Sequence, residues 1–180
     1  SLVQAHPELV LLDVQKPIIL HDNRFRCDHG WDIDLDDGSS NYRIYNNVCL
    51  NGGIKLREGF YRIVENNIMI NNSLNAHVWF KNSEDVFEHN ILTRQYFPIQ
   101  MRNWGKCVDY NLFPDSLGLL QAQADGTDKH SITGNPLFIN DTTGNYTVKE
   151  SSPALKIGFH NFPQDSFGVE LSALKKIAKR

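Results

Sequence analysis

The chain has 180 residues, of which 41% are apolar and 11% aromatic, so it is long enough to form one domain with a substantial buried core. Its formal net charge of −3 argues against a nucleic-acid partner, which would usually require a basic face. No run of about 18 apolar residues is present, so we expect no membrane span. The cysteines, Cys27, Cys49 and Cys107, lack metal-site spacing, and we expect Cys49 to be a small buried hydrophobe.

Asparagine recurs every 20–24 residues in the middle of the chain, at Asn23, Asn47, Asn67, Asn90 and Asn111. An apolar residue stands three positions before each of them and another stands two positions after. A repeat of this length with period-2 patterning is typical of one turn of a parallel β-solenoid, and the Leu-x-x-Leu-x-Leu pattern of a leucine-rich repeat is absent. Stacked coils place equivalent side chains about 4.8 Å apart, so we predict that the asparagines form an inward amide ladder. The apolar positions are Leu20, Ile44, Val64, Phe87 and Val108 before the asparagines, and Phe25, Cys49, Met69, Leu92 and Phe113 after them.

A second short strand is predicted in each coil, and together these strands give about six coils over residues 9–125. In chain order the segments are 9–14, 31–37, 53–58, 77–82, 98–103 and 118–123. Their apolar residues are expected to face inward in two columns. These residues are Leu12 and Val14, Ile33 and Leu35, Ile54 and Leu56, Val78 and Phe80, Ile99 and Met101, and Leu120 and Ala122.

Successive strand residues point to opposite faces, so the residues between the inward columns are predicted to share one outer face. The central outward column is Asp13, Asp34, Lys55, Trp79, Gln100 and Gln121. Its neighbours are Asp36, Arg57, Lys81 and Arg102 on one side, and Asp32, Gly53, His77 and Pro98 on the other. The other sheet has the outward column Tyr45, Glu65, Glu88 and Asp109, for which a solvated surface is favoured over a bound cation.

Beyond Asp125 the repeat fades, and residues 126–180 are predicted to close the C-terminal end with short strands and a capping helix. The apolar residues at helical spacing are Leu171, Leu174, Ile177 and Ala178, with Lys and Arg following where the helix dipole favours them. Residues 1–16 offer no evident polar cap, which raises the alternative that the chain lacks N-terminal coils. We therefore predict a single β-helix domain over residues 1–180.

Several stretches resemble a known family, namely RFRCDHGWDIDLDDGSSNYRIYNN, LNGGIKLREGFYRIVENNIM, AHVWFKNS and the ending that starts at NPLFIN. Over residues 17–169 the chain resembles the right-handed parallel β-helix family of carbohydrate-active enzymes, in the pectate-lyase-like group. Within that group it is similar to a subset regarded as glycosyl hydrolases of Bacteroidetes-type gut bacteria. The resemblance implies a polysaccharide or oligosaccharide partner and an extracytoplasmic location, which is periplasmic, cell-surface or secreted. The group also contains lyases, epimerases and inactive binding modules, and fold does not fix function.

The run DIDLDDG partly matches the start of an EF-hand calcium loop. Asp37 stands where that loop needs glycine, and Arg43 stands where it needs glutamate. The run is therefore not expected to be an EF-hand.

Paired carboxylates instead favour glycoside hydrolysis. Asp34 and Asp36 on one strand lie about 7 Å apart at Cα, which suits the roughly 6.5–9.5 Å separation of inverting hydrolases. We expect them to act as acid and base, with one pKa raised by the crowded charge. Lys55 and Arg57 would hold the other carboxylate ionised and bind sugar hydroxyls or carboxylates. The remaining candidate substrate-binding residues are Asp32, His77, Trp79, Lys81 and Arg102, with Trp79 as an apolar face for a sugar ring.

Two alternatives stay open. In a calcium-dependent polysaccharide lyase, Asp32, Asp34, Asp36 and Asp37 would hold the ion and Lys55 would be the base, with its pKa lowered by neighbouring cations. In a non-catalytic carbohydrate-binding or structural solenoid, the charged outer columns would serve solubility and edge protection.

Overall fold

The computed structural model describes residues 1–165 and 171–178 of the chain. It is mostly β, with parallel sheets stacked as a β-solenoid of about six turns and a few short helices. The strands in chain order are β1 (Ile18–His21), β2 (Arg24–Phe25), β3 (Ile33–Leu35), β4 (Tyr42–Tyr45), β5 (Val48–Cys49), β6 (Ile54–Leu56), β7 (Arg62–Glu65), β8 (Ile68–Met69), β9 (Leu74–Ala76), β10 (Val86–Glu88), β11 (Ile91–Leu92), β12 (Cys107–Asp109), β13 (Leu112–Phe113), β14 (Ile132–Thr133), β15 (Phe138–Asn140) and β16 (Asn145–Val148).

The helices are short and lie outside the stacked sheets. They are α1 (Leu2–Ala5), α2 (Val10–Asp13), α3 (Ser116–Ala124) and α4 (Ser172–Ala178), with 3₁₀ turns at Pro7–Leu9, Asp141–Thr143 and Pro153–Ile157. In the part of the chain that the structure describes, no helix is both long and apolar enough to cross a membrane.

Three parallel sheets run along the solenoid. Sheet A has the order β1-β4-β7-β10-β12, sheet B has β2-β5-β8-β11-β13-β14, and sheet C has β3-β6-β9. Each strand pairs with the equivalent strand of the next coil, so every partner is about one repeat away in sequence. The hairpin of β15 and β16 is antiparallel and follows the last coil.

A left-handed residue turns the chain between sheets A and B in every coil. The residue before each ladder asparagine has φ between 53° and 58°. Asn and Asp tolerate this conformation better than most residues, which explains the recurring Asp-Asn and Asn-Asn pairs in the sequence. The residues are Asp22, Asn46, Asn66, His89 and Tyr110.

The predicted amide ladder is confirmed. The Nδ2 atom of Asn47 donates to Oδ1 of Asn67 at 3.0 Å, Asn67 donates to Asn90 at 3.1 Å, and Asn90 donates to Asn111 at 3.2 Å. The same oxygens also accept the backbone N–H of the preceding asparagine. All four residues have no exposed surface, so the ladder satisfies polar groups that water cannot reach.

At its C-terminal end the ladder is closed by Asp128 and Ser131 instead of another asparagine. Nδ2 of Asn111 donates to the Asp128 carboxylate at 3.1 Å, and its backbone N–H donates to the Ser131 hydroxyl at 2.7 Å. The Tyr96 hydroxyl donates to the same Asp128 oxygen at 3.1 Å. Burial raises the pKa of Asp128 above its ordinary value, although these hydrogen bonds oppose the shift.

The apolar columns beside the ladder are also confirmed. The residues three positions before and two positions after each inner asparagine are buried, and Leu20 and Phe25 of the first coil are partly buried against them. This alternation is the period-2 pattern of strands that bury one face. These columns belong to one apolar cluster that runs along the coils, and a second cluster joins Val48, Ile68, Ile91 and Leu112 of sheet B to the C-terminal segment.

Two predicted strands are helices instead. Residues 9–14 include α2, in which Leu12 is 73% exposed, and residues 118–123 belong to α3, in which Leu120 is 62% exposed. Asp115 caps α3 by accepting from the backbone N–H of Gly118, and that helix contains no β-branched residue. Of the apolar residues assigned inward there, Ala122 is buried as predicted.

The predicted register of sheet C fails in the fourth coil. Ile54 and Leu56 pair with Leu74 and Ala76, so the strand lies before residues 77–82 rather than within them. Val78 has φ 53° at the corner after the strand, and Ile99 is 49% exposed although it was predicted to face inward. Strand β9 follows β6 by 20 residues, which is also the spacing between Asn47 and Asn67 of the ladder in the same two coils. A strand at residues 77–82 does not fit this spacing.

The C-terminal helix is confirmed in part. Helix α4 forms at Ser172–Ala178, but Leu174 is 48% exposed and Ile177 is 70% exposed, and Leu171 before it is exposed as well. Leu171, Leu174 and Ile177 therefore do not cover the core as a cap. Lys179 and Arg180, the basic residues predicted to follow, lie outside the described residues.

Asn67→Ala tests whether the ladder holds the coils together. The change removes the acceptor for two donors of Asn47 and the donor for the Ile44 carbonyl, all of them buried. Unsatisfied buried polar groups cost roughly 1–3 kcal/mol each, so we expect the free energy of unfolding in urea to fall by about 2–4 kcal/mol. Asn82→Ala is the control, because its amide makes only an exposed bond to Gln4. Equal effects of the two changes would contradict a stabilising ladder.

Candidate functional site

Sheet C brings opposite charges together on its outer face. Asp34 of β3 pairs in register with Lys55 of β6, as predicted, and the next residue in that column is Asn75. Ile33 and Leu35 on either side of Asp34 are buried, which turns the carboxylate outward. The side chain of Asp34 is 42% exposed, whereas that of Lys55 is only 5% exposed.

Lys55 is shared between two carboxylates and an aromatic ring. Its Nζ lies 3.0 Å from Oδ1 of Asp34 and 2.9 Å from Oδ1 of Asp36. The same ammonium lies 4.2 Å from the centroid of the Trp31 ring, which is a cation–π contact. Arg57 extends the charged surface, with its Nη1 atom 3.5 Å from Oδ1 of Asp36. We call these five residues, Trp31, Asp34, Asp36, Lys55 and Arg57, the Lys55 cluster.

Arg57 also joins the cluster to the corner that follows the strands. Its Nε lies 3.3 Å from Asp37 and 2.7 Å from Glu58. These charges raise the pKa of Arg57, with Asp37 the largest cause, so the guanidinium stays charged. The corner therefore alternates acid and base, with the Asp37 side chain exposed and the Oε2 atom of Glu58 buried.

The cluster fixes the protonation states of its members. Burial lowers the pKa of Lys55, but the hydrogen bonds and charges of Asp36 and Asp34 outweigh it and raise the pKa above its ordinary value. The hydrogen bond from Lys55 lowers the pKa of Asp36. Burial, together with the charges of Lys55 and Arg57, lowers the pKa of His77. At neutral pH the site thus holds a lysinium, an ionised Asp36 and a neutral histidine.

These states bear directly on the catalytic roles predicted for the cluster. A general acid needs a raised pKa and a lysine base needs a lowered one, whereas Asp36 and Lys55 shift in the opposite directions. The Oδ1 atoms of Asp34 and Asp36 both contact Nζ of Lys55, at 3.0 Å and 2.9 Å. The distance between these two oxygens therefore cannot exceed the sum of the two contact distances. That is closer than the roughly 6.5–9.5 Å of inverting hydrolases.

Asp32 is a structural residue in this arrangement. Its carboxylate accepts backbone N–H bonds from Cys27, Asn51, Gly52 and Gly53 at 2.6–3.1 Å. These bonds hold together the turns that lead into β3 and β6, and they leave little capacity for a ligand. Within residues 1–165 and 171–178, no group of three or more His, Cys, Asp or Glu side chains is placed to hold a metal ion.

Trp79 was predicted to face outward, and the structure corrects this. Its ring is 2% exposed, and Nε1 donates to the Leu56 carbonyl at 2.8 Å. The exposed tryptophan of this face is Trp31, at 37% exposed, which the sequence reasoning missed. His77 is 8% exposed and meets the Trp31 ring edge-on, with centroids 6.0 Å apart. The sequence feature that could have identified Trp31 is its position directly before the aspartate-rich strand.

Lys81 and Arg102 are not in the Lys55 cluster. Both line a cavity of about 710 Å³ at the next corner, together with the buried Trp79. The cavity is lined by no residue of the Lys55 cluster. The predicted substrate-binding residues thus divide between two places on the surface.

The outward column of sheet A is confirmed in register. Tyr45, Glu65, Glu88 and Asp109 stand opposite one another in successive coils. Asp109 is bonded to Nδ1 of His130 at 2.7 Å. Burial would raise the pKa of Asp109, but the bonds from His130 outweigh it and lower the pKa.

No protein-family model, no curated protein and no solved structure gives a significant match to this chain. The order and register of the strands therefore identify the fold as a parallel β-solenoid.

Lys55→Met tests the shared ammonium. In the wild type the lowered pKa of Asp36 stabilises the fold above the unfolded pKa of about 4, and that contribution is lost as the pH falls. Removing the ammonium should raise the pKa of Asp36 and make this acid-dependent loss smaller. We expect a carbon-13 NMR titration of the Asp36 carboxyl, and urea unfolding from pH 3 to pH 7, to show both changes.

Lys106→Met is the matched control. Lys106 is exposed and lies 3.8 Å from Glu84, so its loss should leave the Asp36 titration unchanged. An Asp36 midpoint that stays the same in Lys55→Met would contradict the shared ion pair.

Proposed function

We propose that the outer face of sheet C binds a polysaccharide or oligosaccharide, so that the protein acts as a carbohydrate-binding β-solenoid. The observation that carries the proposal is the exposed ring of Trp31 beside a set of mutually neutralised charges. A sugar presents apolar C–H faces to an aromatic ring and hydroxyls to fixed polar groups. The resemblance to pectate-lyase-like proteins of bacteria supports the same substrate class, and with it a periplasmic, cell-surface or secreted location.

Each member of the cluster has a part in this binding. Trp31 supplies the platform, and its ring is held by Lys55 on one side and the edge of His77 on another. Asp36 stays ionised, and the carboxylates of Asp34 and Asp36 accept hydrogen bonds from sugar hydroxyls, while Arg57 donates. Since Lys55 already orders both carboxylates, little side-chain entropy is lost when a sugar binds.

Trp31→Ala tests the platform. Burying an aromatic side chain against a ligand contributes about 1.5–3 kcal/mol, so the change should weaken oligosaccharide binding roughly tenfold or more. A glycan array would find the ligand, and isothermal titration would measure the loss. Tyr110→Ala is the control, because Tyr110 is 38% exposed but follows β12 of sheet A. An equal loss in both variants, or none in Trp31→Ala, would contradict the proposal.

Glycoside hydrolysis by Asp34 and Asp36 is the second candidate. It is favoured by two half-exposed carboxylates held close together on the same face. Asp36, whose pKa is lowered, suits the role of nucleophile or base, and in this scheme the general acid is assigned to Asp34.

Asp34→Asn tests hydrolysis separately from binding. If the protein is a hydrolase, release of reducing ends from the polysaccharide should fall about 100-fold or more, whereas binding should weaken far less, because the amide oxygen of Asn still accepts a hydrogen bond. Asp115→Asn, at the cap of α3, is the control for general effects of a lost carboxylate. If the wild type releases no reducing ends, that result contradicts hydrolysis, and carbohydrate binding remains as the proposed function. An unsaturated, calcium-dependent product would instead indicate a lyase, for which the raised pKa of Lys55 gives no support.

A further inference from the structure

The loop that closes the C-terminal end of the asparagine ladder contains a buried carboxyl group. Residues 125–131 connect α3 to β14, and we call them the closing loop. The backbone N–H of Asp128 donates to the Val108 carbonyl at 2.8 Å and so ties the loop to sheet A. The loop places Asp128 and Ser131 against Asn111, at the position where the next asparagine of the ladder would lie.

The two oxygens of the Asp128 carboxyl group have different surroundings. Oδ1 accepts hydrogen bonds from the Ser131 hydroxyl at 2.6 Å, the Tyr96 hydroxyl at 3.1 Å and Nδ2 of Asn111 at 3.1 Å. Oδ2 is buried and has no hydrogen-bond partner among the described residues. Asp128 as a whole is 1% exposed, so bulk water does not reach the carboxyl group.

No cation within the described part of the chain forms an ion pair with this carboxyl group. Lys129 and His130 belong to the closing loop, but both are exposed, and His130 is bound to Asp109 at 2.7 Å. The titratable groups that surround Asp128 and its partner hydroxyl from the neighbouring elements are all acidic, namely Tyr96, Cys107 and Asp109. A negative charge on Asp128 is therefore not compensated.

The absence of a counter-ion determines when this carboxyl group ionises. A buried charge without a partner is costly, and such a group usually keeps its proton instead. Burial accordingly raises the pKa of Asp128, and the hydrogen bonds to Oδ1 reduce the shift without cancelling it. The closed loop thus binds the proton more tightly than an opened, hydrated loop does. Closure is therefore most favourable below the ordinary Asp pKa of about 3.9, and it weakens as the pH rises to the raised value.

We propose that Asp128 is a proton switch at the end of the solenoid, which holds the closing loop shut when its carboxyl group is protonated and loosens the loop when it is ionised. Oδ2 carries the proton, because Oδ1 already accepts three hydrogen bonds. In the ionised state, opening of the loop lets water solvate the charge, and the closed end of the ladder has no group that can do this.

Hydrogen exchange at several pH values tests the switch in the wild-type protein. The reporters are the backbone N–H groups of Asp128, which bonds to Val108, and of Ile132, which bonds to Asn111. Their protection factors, corrected for the intrinsic exchange rate, should rise as the pH is lowered from about 7 to about 4. The rise should be up to about tenfold for each unit by which the pKa of Asp128 is raised. Protection of the reporters that does not change with pH would overturn the proposal.

Asp128→Asn keeps the loop in an uncharged state. Asparagine retains an oxygen for the three donors, tolerates the left-handed backbone at this position (φ 55°) and cannot ionise. The pH trend of the reporter amides should therefore disappear. Asp125→Asn is the matched control, because it removes a carboxylate from an exposed position of the same loop, and the trend should persist. A trend that persists in Asp128→Asn, or that is lost equally in both variants, would overturn the proposal.

A carbon-13 titration of the side-chain carboxyl groups detects the proton itself and needs no variant. The Asp128 carboxyl group should titrate at a higher pH than that of Asp36, whose pKa is lowered by Lys55. Its midpoint should coincide with the pH at which the protection of the reporter amides changes. A midpoint at or below the ordinary Asp value of about 3.9 would contradict the switch.

Discussion

The buried asparagine ladder is the constraint on which the rest of this structure depends. The side-chain amide of each inner ladder asparagine makes two kinds of hydrogen bond: its oxygen accepts from the asparagine of the previous coil, and its N–H donates to that of the next. Because these residues are fully buried, water cannot replace the bonds. A slip of one residue would leave several of these buried groups unpaired and would turn the core side chains outward. The ladder therefore fixes the register of all three sheets, including the pairing of Asp34 with Lys55.

The same register determines the electrostatics of the candidate site. Lys55 is almost buried, and two carboxylates and an aromatic ring compensate its charge. Such a site holds a charged Lys55 and an ionised Asp36, and the pKa shifts of these two groups do not suit proton transfer. That is why the geometry favours binding over hydrolysis, and why Trp31 and not a carboxylate carries the proposed function.

Sequence pattern predicted the features that repeat. The ladder, the apolar columns of sheets A and B, and the contact between Asp34 and Lys55 all follow from residues that recur at a fixed spacing. The strand prediction was wrong at residues 9–14 and 118–123, which were assigned to the repeat but lie at its two ends. Leu12 and Leu120 have strand-like neighbours but lie in short helices at the two ends, where no neighbouring coil pairs with them.

Other features depend on backbone turns that no periodicity encodes. The left-handed Val78 ends a strand that the sequence pattern placed later, and this inverts the expected facing of Trp79. Asp32 satisfies the backbone of two adjacent turns, so its position beside Asp34 did not make it part of the site. Trp31 lies just before β3, where its ring direction depends on that turn.

Hydrogen exchange of the ladder amides tests the central claim most directly. The backbone N–H groups of Asn47, Asn67 and Asn90 donate to buried side-chain oxygens of the next coil. If these bonds hold the register, the three amides should exchange only when the whole protein unfolds, with a free energy equal to that of global unfolding. Exchange near the rate of exposed amides, in a protein that is otherwise folded, would contradict the account.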